Sequence, residues 1–495
     1  MIWNKSQDSP MYMRKEETKM EFEPIIGLEI HVELKTKSKM FSSAPVAYGK
    51  EPNTLCAPLD MAFPGTLPTV NKEGVVYAIR ISNALHMKID NELHFDRKNY
   101  FYSDLPKGFQ ITQNRRPIGS EGYLEIEVDG KVKRIGIERL HIEEDTCKQL
   151  HFPAFTLLNY NRAGVPLVEI VSKPELRSGE EAMKYVEKIR SIVVFSGVSD
   201  GKMEEGSLRV DTNVSIRPKG SNTFGTKVEV KNINSINYVQ KAIDFEVARQ
   251  TKVIEEGGQV IQETRRYDDK TNQTVTMRLK TDAVDYKYYP ETNITPIALS
   301  DDFIKTAIES CPELAESKKK RYIEEHGLNN YDASLLVSEK AVSDYYDEAT
   351  KYSKAYKLLA NWINVDVASY LNKNIMSISD FPMSPEKLAG LVKLVESNEV
   401  NSNQAREIFA KMLEEGVDAK KAKEILGISS QISDLSFIQD AVNKVLEENP
   451  QAIIDYKEGK GRALGFLVGQ IMKKTQGKIN PKITSDLLLE ELKKR

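Results

Sequence analysis

The hydrophobic period changes once along this chain, and that change constrains its fold more than any other feature. From about residue 25 to 290 apolar residues alternate with polar ones, as in half-buried strands. In GLEIHVEL, Leu28, Ile30, Val32 and Leu34 face one way and Glu29, His31 and Glu33 the other. SLRVDTNVSIR repeats the pattern with Leu208, Val210, Val214 and Ile216, and TKVEVK sets Val228 and Val230 against Lys227, Glu229 and Lys231. Beyond the turn-rich YKYYPETNITPIALS (Tyr286 to Ser300) the period becomes helical and remains so to Arg495. With 495 residues the chain has room for two to four domains of roughly 100 to 200 residues each. The pattern predicts an N-terminal extension over 1–22, a strand-rich domain over 23–292, a helical domain over 293–380 and a helical tail domain over 381–495. Met20 is a candidate start, because ordered pattern begins only at Glu23.

One helix stands out within the strand-rich region. Ser178 is its predicted N-cap, with Glu181 three residues on, then apolar positions at Ala182, Tyr185, Val186, Ile189, Ile192 and Val193, and Gly197 closes it. Isolated helices among strands without a regular βαβ repeat predict an α+β fold rather than a doubly wound parallel sheet. The break placed near Asp380 rests on SDFPMSPEK, where Ser384 caps a helix that begins at Pro385.

Seventy basic against 73 acidic side chains give a formal charge of −3, and hydrophobic residues make up 40%, which excludes collagen-like and disordered classes. Three cysteines without a CxxC pair support neither a disulfide framework nor a zinc site, and a reducing cytoplasm is the expected setting. No apolar run reaches the roughly 18 residues that a membrane-spanning helix needs, so no membrane role is expected.

Glu29, His31, Glu143, Glu144, Glu204, Glu205, Asp211 and Glu229 lie on separate strands or strand ends, several on the polar face of what reads as one sheet. Carboxylates with one imidazole suit Mg²⁺ and a polyphosphate, and Arg209 and Lys231 are placed to neutralise a transferring phosphoryl group. The same residues also suit a solvated sheet face laced by cross-strand ion pairs, and the pattern alone leaves both open. His141, followed by Glu143, Glu144 and Asp145, reads equally as a piece of a solvated acidic turn. Gly220 and Gly225 have P-loop spacing, but Thr226 and Lys227 stand in the wrong order and the stretch joins two strands, so it is a hairpin loop. EGKGRALGFLVG is not a dinucleotide fingerprint. There is no GxSxG, no HExxH and no Ser/Lys amidase signature, so the chain carries no visible machinery for amide hydrolysis.

The last 39 residues hold ten Lys or Arg against four acids. Lys460, Arg462, Lys473, Lys474, Lys478 and Lys482 form a candidate phosphate-backbone footprint, with an ordinary basic helical surface as the alternative.

Eight ordered motifs carry a resemblance that spans Glu23 to Arg495. They are GLEIHVEL (27–34), FPGTLPTVN (63–71), FDRKNYFYSDLPKGFQIT (95–112), RLHIEED (139–145), NRAGVPLVEIVS (161–172), MEEGSLRVDTNVSIR (203–217), EVKNINS (229–235) and GFLVGQIMKKTQGKINP (465–481). Through them the chain resembles the GatB/GatE family, the B subunits of aspartyl/glutamyl-tRNA amidotransferases. The resemblance implies a glutamine synthetase-like cradle domain, an all-α domain and a tail similar to stand-alone YqeY proteins. It implies ATP and Mg²⁺ as cofactors, and misacylated Glu-tRNA(Gln) or Asp-tRNA(Asn) as substrate. It also implies a heterotrimer with two partners, a glutaminase (the GatA type) and a small linking protein (the GatC type). Glu29, His31, Glu144 and Glu229 match the family's Mg²⁺ positions, Glu143, Glu205, Arg209 and Asp211 fill the same cradle as catalytic residues, and the basic tail residues are expected to meet tRNA. Two departures are visible. Asn159 stands where the family usually has Asp, and Cys56 lacks the partner cysteines that give some relatives a zinc site, so no zinc is expected. A free-standing carboxylate–amine ligase and a non-catalytic tRNA-binding scaffold are the competing readings.

Overall fold

The computed structural model describes residues 21–279, 286–428, 435–457, 460, 462–475, 479 and 481–494. The chain forms two compact units, one ending at Leu314 and one beginning at Ala315.

The first unit is built on a nine-stranded mixed sheet. Its order across the sheet is Gln273–Leu279, Glu263–Asp268, Val228–Lys231, Leu208–Pro218, Phe22–Glu33, Pro166–Ser172, Lys131–Glu144, Gly119–Val128 and Lys88–Ile89. Every neighbouring pair runs antiparallel except Val228–Lys231 with Glu263–Asp268. Alternation along the central strand Phe22–Glu33 puts Ile26, Leu28, Ile30 and Val32 into the core. Its other face carries Glu29, His31 and Glu33, because successive side chains of a strand point to opposite sides. The helices Lys72–Ala84, Gly179–Phe195 and Ile236–Glu255 cover the apolar face. The second of these starts where expected: Ser178 Oγ accepts the Glu181 N–H at 3.1 Å, and Gly197 takes φ +73° just beyond its end. The loop holding Gly220 and Gly225 joins two antiparallel strands, as a hairpin loop should.

The switch to helical period does not coincide with the end of this core. Tyr289–Pro290 pairs back onto Asp96–Asn99, and Ile297–Ala298 onto Glu92–Leu93. The helix Asp301–Glu309, capped by Ser300, buries Ala307 in the same core, with Phe303, Ile304 and Ile308 against it.

The second unit is helical and holds two cores. One gathers residues from Tyr322 to Ala422, the other from Ile438 to Leu492. The Pro-marked turn near Asp380, expected to separate a pair of domains, lies inside the first of these. Phe381 packs edge-on against Tyr345 at 6.0 Å, and the Tyr345 hydroxyl donates to the Met383 carbonyl at 3.0 Å. Ser384 caps the next helix through the Lys387 N–H, with Pro385 in its first turn. Pro382, just past the end of one short helix, and Pro385, at the start of the next, thus punctuate a single core.

Candidate catalytic site

The register of the central strands assembles the polar face row by row. Arg209 lies opposite His31, His31 opposite Glu169, and Glu169 opposite His141, so four adjacent strands present one continuous polar row. One step along, Asp211 lies opposite Glu29. The next strand adds Glu229 beside Asn213.

Two groups of ligand atoms converge on this face. His31, Glu143 and Glu169 form one, and Glu29, Asp211 and Glu229 the other; within each, one ligand atom from every residue lies within 4.8 Å of the others. In the first group His31 Nε2 is 3.7 Å from Glu143 and 3.6 Å from Glu169, while His141 Nε2 is 3.1 Å from Glu169 and 3.6 Å from Glu143. Burial works against a charge on His141, but Glu169 and Glu143 outweigh it and push the imidazole up to about 9. Burial would likewise raise Glu169, yet His141, His31 and Lys98 hold its carboxyl well below the ordinary range. In the second group the Lys231 ammonium sits 2.6 Å from Asp211 and 3.0 Å from Glu229. Asn213 donates to Glu29 at 2.9 Å, and the Thr264 hydroxyl donates to Glu229 at 3.1 Å. Both donor sets fit a hard divalent cation: Mg²⁺ needs only one or two protein carboxylates, its remaining positions going to water and phosphate oxygens.

Two polar cavities open on the face, of about 660 and 790 Å³. They share His31, Lys98, Glu143, Asp211 and Lys231. Burial opposes the Lys98 ammonium, but Glu143 and Glu169 are among the groups that raise it above an ordinary lysine. Its Nζ also lies over the Tyr286 ring at 5.0 Å. On the larger cavity's wall Arg209 grips Asp145 with two contacts of 2.9 and 3.3 Å. Asp145 stays low despite burial because Arg209 and Arg162 face it, whereas Glu33 is pushed up to about 8 by burial and by the Asp145 carboxylate.

Glu29, His31, Glu143, Asp211, Glu229 and Arg209 are therefore brought together. Glu144 is not. Next to Glu143 on the same strand, it points to the opposite face, where Lys107 Nζ meets its two oxygens at 2.5 and 2.6 Å and the Ile111 N–H donates to it at 3.0 Å. The expected ligand is thus a neutralised buried carboxylate, and its neighbour occupies the cluster. Glu205 stands on the turn 203–206 at the larger cavity's rim, held by Lys202 at 2.7 Å. His141 is not on a solvated turn but inside the strand Lys131–Glu144 and buried.

Glu169 was missed. Its signal is a lone carboxylate in PLVEIVS, the one polar side chain interrupting an otherwise apolar strand before Ser172. Lys98 had no periodic signal, because its strand has only four residues. Asn159 accepts from the Asn53 and Asn161 N–H groups at 3.3 and 3.0 Å, an acceptor role that requires no charge. Cys56 Sγ lies 3.9 Å from Asn161 Oδ1. In the tail, Lys460 pairs with Asp455 at 2.9 Å, Lys474 with Glu448, and Arg462 and Lys473 are exposed. Lys478 and the side chain of Lys482 lie outside the described residues.

A mixed sheet presenting two carboxylate clusters and followed by an all-helical region has the layout of a catalytic domain with helical extensions. The chain belongs to the GatB/GatE family: the model of the GatB/GatE catalytic domain matches residues 24–305, and that of the GatB domain matches 344–492. It is similar to the B subunit of the aspartyl/glutamyl-tRNA(Asn/Gln) amidotransferase from Staphylococcus carnosus, 49% identical over 476 residues, covering 96% of this chain and 100% of the relative. Proteins of the same name from Staphylococcus saprophyticus and Staphylococcus epidermidis are 48% identical over the same length.

Proposed function

We propose that this chain is the amidating component of a tRNA-dependent amidotransferase, converting Glu-tRNA(Gln) or Asp-tRNA(Asn) to the correctly amidated species with ATP and Mg²⁺. The observation that carries the reading is the pair of carboxylate clusters on one sheet face with Lys98, Lys231 and Arg209 around them.

A free carboxylate is a poor acyl donor because oxide would have to leave. In the proposed reaction a side-chain carboxylate oxygen attacks the γ-phosphorus, the bond to ADP breaks, and an acyl phosphate forms. Ammonia then attacks the acyl carbon, phosphate leaves, and a proton is lost to give the amide. Lys98 and Lys231 face phosphate oxygens as compact point charges, and Arg209, oriented by its two contacts to Asp145, presents a fixed guanidinium. Glu29, His31, Glu143, Glu169, Asp211 and Glu229 are the residues that would hold divalent cations. A divalent cation held there would supply positive charge that offsets repulsion between ATP and the anionic substrate.

Ammonia comes from a GatA-type glutaminase, since this chain carries no amidase signature, and a small GatC-type protein completes the heterotrimer. The third core, Ile438 to Leu492, contacts tRNA through Lys460, Arg462, Lys473, Lys474, Lys478 and Lys482. Its cavity of about 830 Å³ is bordered by Lys460, Arg462 and Phe466. Among the described residues no helix is long and apolar enough to cross a membrane, and the cytoplasm, where tRNA is charged, is the proposed location. The test is ATP-dependent amidation of both misacylated tRNAs by the reconstituted complex over a Mg²⁺ series. Amidation that proceeds without ATP, or a complex inert on both substrates, overturns the reading.

A further inference from the structure

Six carboxylates line the larger cavity, and five of them are balanced by a cationic group or by water. Glu143 faces the two histidines, and Asp211 meets Lys231 at 2.6 Å. Asp145 is held by Arg209 and Arg162, and Glu205 by Lys202. Glu204 is exposed, so water screens its charge. Asp104 is the exception. It is half-buried, its Oδ1 is buried without a hydrogen-bond partner, and among the described residues no cationic side chain forms an ion pair with it. Burial lifts its carboxyl above the ordinary range, against the pull of Thr146 and Arg162. Arg162 itself is engaged elsewhere, donating to the Thr146 and Cys147 carbonyls at 2.9 and 3.2 Å. A partly buried carboxylate short of donors is a costly arrangement, and because Asp104 lines the cavity, a cationic group arriving there would relieve it.

The backbone, not the carboxylate, fixes where Asp104 stands. The Cys147 N–H donates to its carbonyl at 3.1 Å, and the turn around it is closed by Leu105 N–H to the Tyr102 carbonyl and Gly108 N–H to the Leu105 carbonyl. The proposed substrate brings the missing cation. An aminoacyl ester carries a protonated α-ammonium a few bonds from the side-chain carboxylate that is to be amidated. All six side chains of the two ligand clusters line the smaller cavity, whereas only His31, Glu143 and Asp211 also line the larger one. The charge of a polyphosphate therefore belongs to the smaller cavity, and the aminoacyl end to the larger. Tyr100 lines the larger cavity, and burial, Asp104 and Glu143 together raise its phenol, so Asp104 and the edge of the cluster both lie close to one hydroxyl.

We propose that Asp104 is a specificity residue that receives the α-ammonium of the aminoacyl ester and so aligns the side-chain carboxylate with the ligand clusters. This rests on the amidotransferase reading above. The test compares two substrates on the full complex, with ammonium chloride as nitrogen donor so that glutamine hydrolysis does not enter. One is Glu-tRNA(Gln). The other is the same tRNA acylated with 2-hydroxyglutarate, in which a neutral hydroxyl of similar size replaces the ammonium. The unaltered complex should favour the first at least tenfold in kcat/KM, because a site built around a charged group rejects an analogue that lacks it. Asp104→Asn should lose at least tenfold on Glu-tRNA(Gln) and stay within twofold on the hydroxy analogue, so that the preference collapses. The variant should melt no lower than the unaltered protein, since no ion pair is broken and the backbone contacts remain. Equal losses on both substrates, no loss on either, an unaltered complex without preference, or a variant that fails to fold each overturn the proposal. An unaltered complex that amidates neither substrate instead overturns the functional reading, so the two failures are distinguishable.

Discussion

Changing Glu144 to Gln separates two readings of the acidic strand. If Glu144 were a cation ligand, Glu144→Gln would weaken Mg²⁺ binding and spare the fold. In the structure its carboxylate is met by Lys107 at 2.5 and 2.6 Å, with the two side chains only 3% and 10% exposed. Removing one partner of such a buried pair strands the other charge and costs about 3–5 kcal/mol. At roughly 2–4 °C per kcal/mol for a domain of this size, melting should fall by roughly 6–20 °C. Lys107→Met should cost a similar amount, and the double variant less than the two singles together, because no uncompensated charge then remains. The assay is a set of melts for the four proteins with Mg²⁺-binding isotherms on each. An unshifted melt together with a large loss of Mg²⁺ affinity would refute the assignment and restore Glu144 as a ligand.

Glu169→Gln should reduce Mg²⁺-dependent amidation at least tenfold while leaving circular dichroism unchanged, and full activity at ordinary Mg²⁺ would remove Glu169 from the site. Without cation, His141 should titrate near 9 in nitrogen-15 NMR. Its charge therefore contributes stability fully below about 6.5 and loses it as pH rises through about 9, and Glu169→Gln should lower the midpoint. Lys231→Met removes the ammonium that Asp211 and Glu229 share, and divalent-cation affinity measured by calorimetry should rise, by an order of magnitude if it gains about 1.4 kcal/mol. Ending the chain at Ile428 removes the third core entire, so both remaining cores should stay folded by proteolysis, whereas ending it at Asp380 cuts the second core and should unfold it. The Ile428 truncation should also flatten the salt dependence of tRNA binding by roughly 0.9 in slope for each lost phosphate contact, and an unchanged slope would leave the tail a solvated surface.

How much of this could be read from sequence follows from which elements carry a local signal. The helix after Ser178 has a cap, a capping acid and an apolar stripe in one short window, and its observed start at Gly179 follows from those alone. The strand holding Glu29 and His31 is long enough for alternation to show which residues share a face. The strand Asp96–Asn99, which supplies Lys98, has four residues and belongs to the fold only through pairing with Phe109–Thr112 and with the distant Tyr289–Pro290. The Asp380 turn failed for a related reason: proline and serine there mark a helix end and a helix start, and whether the flanking helices share a core depends on Tyr345 and Phe381 meeting across a long stretch of chain.

Parity explains the site itself. A strand gives no choice about which of two adjacent carboxylates faces the cluster, since a one-residue shift moves every side chain to the other side of the sheet. In LHIEEDT, His141 and Glu143 go with the polar face, and Leu140, Ile142 and Glu144 with the other. That assignment was available from Leu140 and Ile142, which must be buried; the acidic run Glu143 to Asp145 masked it by resembling a solvated turn. What parity cannot supply is the partner on each side. Glu144 is tolerable among buried residues only because Lys107 arrives from the loop 100–108, and Glu143 is useful only because the Pro166–Ser172 strand brings Glu169 alongside the same histidines. The chemistry of one residue in this sheet is thus fixed by its own parity together with the identity of a residue that a separate segment of the chain places against it.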